Sequence, residues 1–367
     1  MINIPVALYD NVFYNILLVF VVVFFLQSRN VALENGQNLR VKSTFGKVLL
    51  AFSIIFIGLR PITFSHFGDM GMYNIYFVNY LEGAPLVLEG KDIGFEIFMK
   101  LCSYVMMPQF FFLTIAFLYI FPFYTVSKKL FADYWFYGFF MLLISLSFWG
   151  AATNGLRNAV ATSIFLFVFV TENKYAKFGI MLLAILFHKS MLIPTGAYLA
   201  AMYYQDTKTY FKAWFAAIPL SLALGGFWET LFLNLGFAED EKLKNYLIEN
   251  EDLVDRFSSS GFRWDFLLYS GVGVYAGWYF IYKRKFEDAV YLQLVNTYLI
   301  TNAFWILVIR ANFSNRFAFL SWFMLGLVII YPMLKNKFFT KQHLIIGNII
   351  LCYFAFTYLL NIVLAKY

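Results

Sequence analysis

Three kinds of side chain in this sequence could do chemistry together: arginines at the ends of apolar runs, a histidine between two such runs, and carboxylates in the polar stretch 61–107. Arg157 stands in NGLRNAV, directly before ATSIFLFVFV, and Arg316 stands in ANFSNRFAFLSW. A helix N-terminus carries partial positive charge and unpaired N–H groups, so a cation in its first turn is unfavourable by roughly 0.3–1 kcal/mol. A bound phosphate reverses that sign, because the N–H groups and the guanidinium then converge on one anion. Asn154 is a candidate cap for the first of these helices, and Asn312, Ser314 or Asn315 for the second. His188, in LFHKSMLIP, is either a satisfied polar residue at an interface, or a general base or phosphate ligand, since imidazole titrates in the useful range. Asp69, in FGDMGMYNIYFVNYLEG, and Glu96, in DIGFEIF, are further proton acceptors.

The elements that must position these groups follow from composition. The chain has 367 residues, of which 62% are hydrophobic, 22% aromatic and only 13% charged. That balance excludes a soluble globular domain and implies an all-α, polytopic integral membrane protein. About twelve spans (11–13) are expected, near 9–27, 45–60, 108–127, 134–149, 156–172, 174–188, 190–204, 212–228, 264–282, 288–309, 317–334 and 342–363. The segment 93–107 has a helical apolar period but contains charges, and is expected to lie in the interface or to cross. Residues 1–367 read as a single transmembrane domain, with loops 61–107 and 229–263 roofing one face. No basic region with a small-residue cleavage site precedes the first span, so no cleaved leader is expected.

Orientation comes from the basic residues. Segments 28–47, 128–133, 172–177, 205–212, 283–288 and 335–341 hold sixteen Lys and Arg and six acids. They are expected to be cytoplasmic. The opposite face then holds twelve basic residues and fifteen acids, and the formal charge of +7 carries no implication of nucleic-acid binding. The inner face uses three arginines and thirteen lysines, whereas the outer face has six of each: Arg60, Arg157, Arg256, Arg263, Arg310 and Arg316 are its arginines. Arginine's planar fork binds phosphate bidentately where lysine offers a point charge, so an outer oligoanion is expected. Arg60 and Arg310 end outward-running helices, where a cation complements the dipole with no ligand at all. Arg256 reads as part of a solvated loop helix. No second His or Cys stands at metal-ligand spacing, so neither metal nor other cofactor is expected. Cys102 and Cys352 read as single buried thiols.

Taken in order, G-D-x-x-x-Y followed by G-F-E, the arginine motif NGLRNAVATSI, H-K-S in LFHKSMLIP and S-N-R in FSNRFAF resemble the EpsG-like branch of Wzy-type polysaccharide polymerases. Such proteins commonly have glutamine after the arginine, where this chain has Asn158. The resemblance implies a glycosyltransferase that joins undecaprenyl-pyrophosphate-linked oligosaccharide repeats into O-antigen, capsule or exopolysaccharide. The setting it implies is the outer face of a bacterial cytoplasmic (inner) membrane, with a chain-length regulator and a flippase as partners and a GT-C-like bundle with an outer cavity as fold. The arginines Arg157, Arg316, Arg310, Arg263 and Arg60 would then meet the pyrophosphate, Tyr73 and Asn154 the sugars, and His188, Asp69 or Glu96 would serve as base. A lipid-linked oligosaccharide flippase and an O-antigen-type ligase are the alternatives; the flippase would want charges at mid-membrane depth and paired repeats.

Overall fold

The computed structural model describes residues 4–88, 92–232, 261–311 and 314–364, and within them the backbone alone of residues 225, 229, 230 and 232. Positions 233–260 of the expected outer loop, with Arg256, lie outside the described residues, as does Asn312. All regular elements among the described residues are helical. In chain order the α-helices are α1 (Tyr9–Asn30), α2 (Gly36–Gly58), α3 (Gly68–Leu81), α4 (Ile93–Ser103), α5 (Pro108–Phe131), α6 (Trp135–Leu143), α7 (Phe148–Thr153) and α8 (Leu156–Leu166). They continue as α9 (Lys174–Phe187), α10 (Leu192–Tyr203), α11 (Thr207–Phe232), α12 (Trp264–Trp278), α13 (Ala289–Leu307), α14 (Asn315–Lys335) and α15 (Gln342–Tyr358).

Among the described residues six stretches are long and apolar enough to cross a membrane: Val6–Asn30, Gly36–Gly58, Pro108–Leu143, Ala289–Leu307, Asn315–Lys335 and Gln342–Val363. The chain is a polytopic membrane protein, but the expected count of about twelve full spans is not reproduced. The segment 134–149 bends at 144–147, which divides it between α6 and α7. The segment 156–172 is an eleven-residue α8 followed by a 3-10 turn, Phe167–Val170. The fourteen residues of α9 reach only about 21 Å, short of a hydrocarbon core of about 30 Å. Apolar composition alone counts such a run as a span whether or not the backbone turns within it. The eleven residues of α4 are likewise too few to cross; Phe95, Glu96 and Met99 are buried on one face while Ile97 and Leu101 are exposed on the other. Cys102 is buried as expected, but Cys352 is exposed on α15.

The centre of the bundle is α14, of whose apolar stretch 94% lies inside the protein, against 33% for the stretch from Val6 to Asn30. It packs against α6, α12 and α13. A buried polar network ties α12, α13 and α14 together: Asn302 donates through Nδ2 to Ser321 Oγ (2.9 Å) and Ser270 Oγ (3.1 Å), and Trp322 Nε1 donates to Ser270 Oγ (2.7 Å). Trp214 of α11 donates to Asn302 Oδ1 at 2.7 Å. In a medium without water such groups must satisfy one another, so the network fixes the relative positions of four helices.

Two ends of the bundle differ in chemistry. At one, Lys337 meets Glu34 at 3.4 Å, Lys42 donates to Gln27 at 3.3 Å, and His343 Nε2 lies 3.1 Å from the Tyr137 hydroxyl. This end gathers the lysine-rich segments. At the other, Gln109 at the start of α5 donates to the carbonyls of Gly58 and Arg60 (3.0 and 3.2 Å), and the turns around Asp92, Arg157 and His188 meet.

That meeting depends on a close crossing of α4 and α9. A Cβ built on Gly94 would lie 2.9 Å from the backbone carbon and oxygen of Leu186. Glycine therefore lets α4 rest on the last turn of α9, two residues from Asp92 on one side and two from His188 on the other. Gly94→Ala is expected to lower stability by about 1–3 kcal/mol through overpacking. Gly179→Ala, at a helical position with open space around it, should be neutral or stabilising by up to about 1 kcal/mol. Thermal unfolding of both variants in detergent checks the contrast; equal melting temperatures would show that the crossing tolerates the methyl group.

Candidate functional site

The site is built where three chain reversals converge. α3 presents Tyr73 from its second turn, and its aromatic face turns inward: Tyr73, Phe77 and Tyr80 are all buried, with the Tyr73 and Phe95 rings 5.5 Å apart. Asp92 stands immediately before α4 with extended backbone, at the N-cap position, yet its side chain makes no cap hydrogen bond. Its carboxylate is thereby available to other elements. The α7–α8 turn brings in Arg157, and the end of α9 brings in His188, whose extended backbone (φ −158°, ψ 118°) breaks the helix before the short turn Lys189–Met191.

The Asp92 carboxylate binds three groups. Oδ2 accepts from Arg157 Nη1 at 2.8 Å and lies 2.9 Å from His188 Nδ1. Oδ1 accepts from the backbone N–H of Lys189 at 2.9 Å, so Asp92 caps, from another segment, the turn that follows His188. Arg157 Nε in turn donates to the Tyr73 hydroxyl at 2.8 Å. The side chain of Asp92 is 5% exposed, that of Arg157 23% and that of His188 26%. The anchor is covered while the two groups it holds are reachable. Burial pushes the Asp92 carboxyl up, but the His188 hydrogen bond and charge, Arg157 and the Lys189 N–H outweigh it and hold the group below the usual carboxylate range. Burial pushes the Tyr73 phenol up to about 12, against the lowering effect of Arg157, so it remains a neutral hydroxyl.

Asn154 does not cap α8. It is the exposed C-cap residue that follows the short α7, and Gly155 occupies the N-cap position of α8 with no side chain to offer. The first-turn arginine of α8 thus meets an anion from within the chain, Asp92. Arg60 is 1% exposed and acts as a strut: Nη1 donates to the Ile57 carbonyl (2.6 Å) and Nη2 to the Thr153 carbonyl (3.1 Å), with the guanidinium 5.2 Å from the Phe67 ring. It joins the end of α2 to the end of α7, four residues before Arg157. Burial pushes it down to about 9, which leaves it charged at neutral pH.

The remaining expected residues are dispersed. Glu96 is buried and accepts from the Tyr80 hydroxyl at 2.7 Å. Asp69 is half-buried in the first turn of α3, close enough to Tyr73 to act on it electrostatically. Arg263 is turned onto Asp265 (Nε to Oδ1 2.9 Å, Nη2 to Oδ2 2.6 Å) and lies over the Phe266 ring at 3.6 Å. Arg310 is exposed and donates to the Leu222 carbonyl at 3.4 Å. Arg316 is exposed in the first turn of α14, where Ser314 is the N-cap residue without a side-chain bond. The structure therefore brings Tyr73, Arg157 and His188 together and leaves Arg263, Arg310 and Arg316 on other helix ends. Asp92 is the residue sequence reasoning missed. It lies in DIGFEIF, read for Glu96 alone, and an acid directly before an apolar helix reads most simply as a cap. Among the described residues no group of three His, Cys, Asp or Glu side chains could hold a metal ion.

Asp92→Ala leaves Arg157 without its carboxylate, and a loss of roughly 2–4 kcal/mol is expected at neutral pH. Because the folded-state pKa of Asp92 is depressed, its contribution is present above the usual carboxylate value and is lost as pH falls below it. The difference in melting temperature between wild type and variant should therefore be widest near neutrality and shrink below about pH 4.

A family model described as the EpsG family matches residues 43–367. No curated protein and no solved structure matches the chain.

Proposed function

The chain belongs to the EpsG family, and from that premise we propose that it is a polysaccharide polymerase that extends a lipid-linked glycan by glycosyl transfer. The observation that carries the proposal is the grouping of Arg157, His188 and Tyr73 around one buried carboxylate at one end of the bundle. In this reading the lysine-rich end is cytoplasmic by the distribution of basic residues, and the site opens to the outer face of a bacterial inner membrane. The segment 61–107 would then roof the site.

The substrates proposed are undecaprenyl-pyrophosphate-linked oligosaccharides, one as donor and one as acceptor. The acceptor hydroxyl oxygen attacks the anomeric carbon of the donor, the bond from that carbon to the pyrophosphate oxygen breaks, and the lipid pyrophosphate leaves with the electron pair. The hydroxyl proton passes to His188. Arg157, fixed by Asp92 and Tyr73 rather than free in solvent, supplies positive charge where the leaving group develops negative charge, beside the N-terminus of α8. A leaving group of that kind needs no proton, no metal and no nucleotide sugar. The exposed Arg310 and Arg316, and Arg263 if it leaves Asp265, are the further candidates for pyrophosphate, while Arg60 keeps a structural part. Asp69 is the second candidate for the base; Glu96, buried against Tyr80, is the weaker one. Tyr73 and Asn154 remain the proposed sugar neighbours. A chain-length regulator and a flippase would be the protein partners. A flippase reading of this chain is less well supported, because the charged cluster sits at helix ends rather than at mid-depth.

Purified protein supplied with a lipid-linked repeat should yield a ladder of longer glycans without ATP or nucleotide sugar. Lipid translocation without elongation would overturn the proposal. Arg157→Lys should keep the fold and lose about 10²–10³-fold in turnover, the loss associated with one preorganised donor to a developing anion. His188→Ala should cost about 10²–10⁴-fold in kcat with donor binding retained; unchanged rates would move the base to Asp69.

A further inference from the structure

We infer that Asp92 is a positioning residue that fixes the tautomer of His188, placing the proton on Nδ1 and making Nε2 the atom that accepts the acceptor-sugar proton. The inference rests on the polymerase reading only for what that proton belongs to; the tautomer itself stands on geometry. The Asp92 side chain is 5% exposed and its Oδ2 lies 2.9 Å from His188 Nδ1. An ionised carboxylate has acceptor oxygens and no hydrogen to donate, so a hydrogen bond to it requires the proton on Nδ1. The other ring nitrogen then carries the lone pair, on a side chain that is 26% exposed.

Two further contacts make the carboxylate a fixed reference. The Lys189 N–H holds Oδ1 at 2.9 Å and Arg157 holds Oδ2 at 2.8 Å, so Asp92 cannot rotate away from the imidazole without breaking both. Arg157 and His188 also share the same oxygen. The proposed ligand of the leaving group and the proposed base are thus set at one distance from each other by a single atom. When His188 takes up a proton, the imidazolium formed is already paired with a carboxylate, which stabilises it as it develops.

Asp92→Asn is the discriminating variant. The asparagine Oδ1 can still accept from Lys189, but its NH2 group donates to Nδ1 and drives the proton to Nε2. The expected result is a fall in kcat of about 10³–10⁴-fold. Asp92→Glu, which keeps the carboxylate, should recover a substantial part of the rate. In protein labelled with 15N-histidine, with the His188 signals assigned from a His188→Gln sample, the neutral ring should carry its proton on Nδ1 in the wild type and on Nε2 in Asp92→Asn. A wild-type ring protonated on Nε2 overturns the inference, whether or not the protein elongates glycans and whether or not the asparagine variant folds. A wild type that elongates, a His188→Ala variant that does not, and an Asp92→Asn variant at the wild-type rate would leave the polymerase reading standing and remove this one. Absence of elongation by wild type, with the proton on Nδ1, would do the reverse.

Discussion

One buried carboxylate holding an arginine and a histidine side chain is the interaction around which this end of the bundle is arranged. A carboxylate in a covered site is costly unless it is paired and hydrogen-bonded. Asp92 meets that condition with Arg157, His188 and a backbone N–H, each from a segment far from it in sequence. The consequence is geometric: the start of α4, the start of α8 and the turn after α9 cannot separate without breaking a contact to the buried carboxylate. Glycine at position 94 removes the side chain that would hold α4 off α9, and Arg60 braces the end of α7 from the other side. Packing and electrostatics therefore act on the same three turns.

The sequence was informative where a residue type conflicted with its surroundings. Arg157 at the head of an apolar run, and His188 at a break between two, stood out because charge and titratable groups are expensive near hydrocarbon. Tyr73, Phe77 and Tyr80 fall at helical spacing on one face of α3; that face packs inward, and the Tyr73 hydroxyl serves Arg157. Asp92 carried no such conflict. An acid before a helix is ordinary, and only the three-dimensional path reveals that it declines the cap and reaches two other segments. The number of spans failed for a related reason: hydropathy sums composition along the chain, and the bend at 144–147 and the 3-10 turn Phe167–Val170 are made by backbone geometry that composition does not record. The all-helical membrane class, which depends on composition alone, was fully legible.

The anion expected at the head of α8 bears on how the site can work. Sequence reasoning asked for a phosphate to offset an arginine set against the helix dipole; the structure supplies Asp92 instead, so the resting site is already balanced. A pyrophosphate arriving at Arg157 would then meet a cation whose charge is partly committed, and would lie near Asp92, which repels it. That arrangement weakens ground-state binding relative to a free arginine. In the proposed reaction Arg157 would be strongest as a donor once His188 had become an imidazolium and taken up the Asp92 charge, when the leaving group would carry most of its own. Binding that strengthens along the reaction coordinate raises turnover where uniform binding does not. In the proposed reaction a shared carboxylate between base and leaving-group ligand would be a simple way to obtain it, and would give a reason for an arginine held inside the cluster rather than left exposed like Arg310.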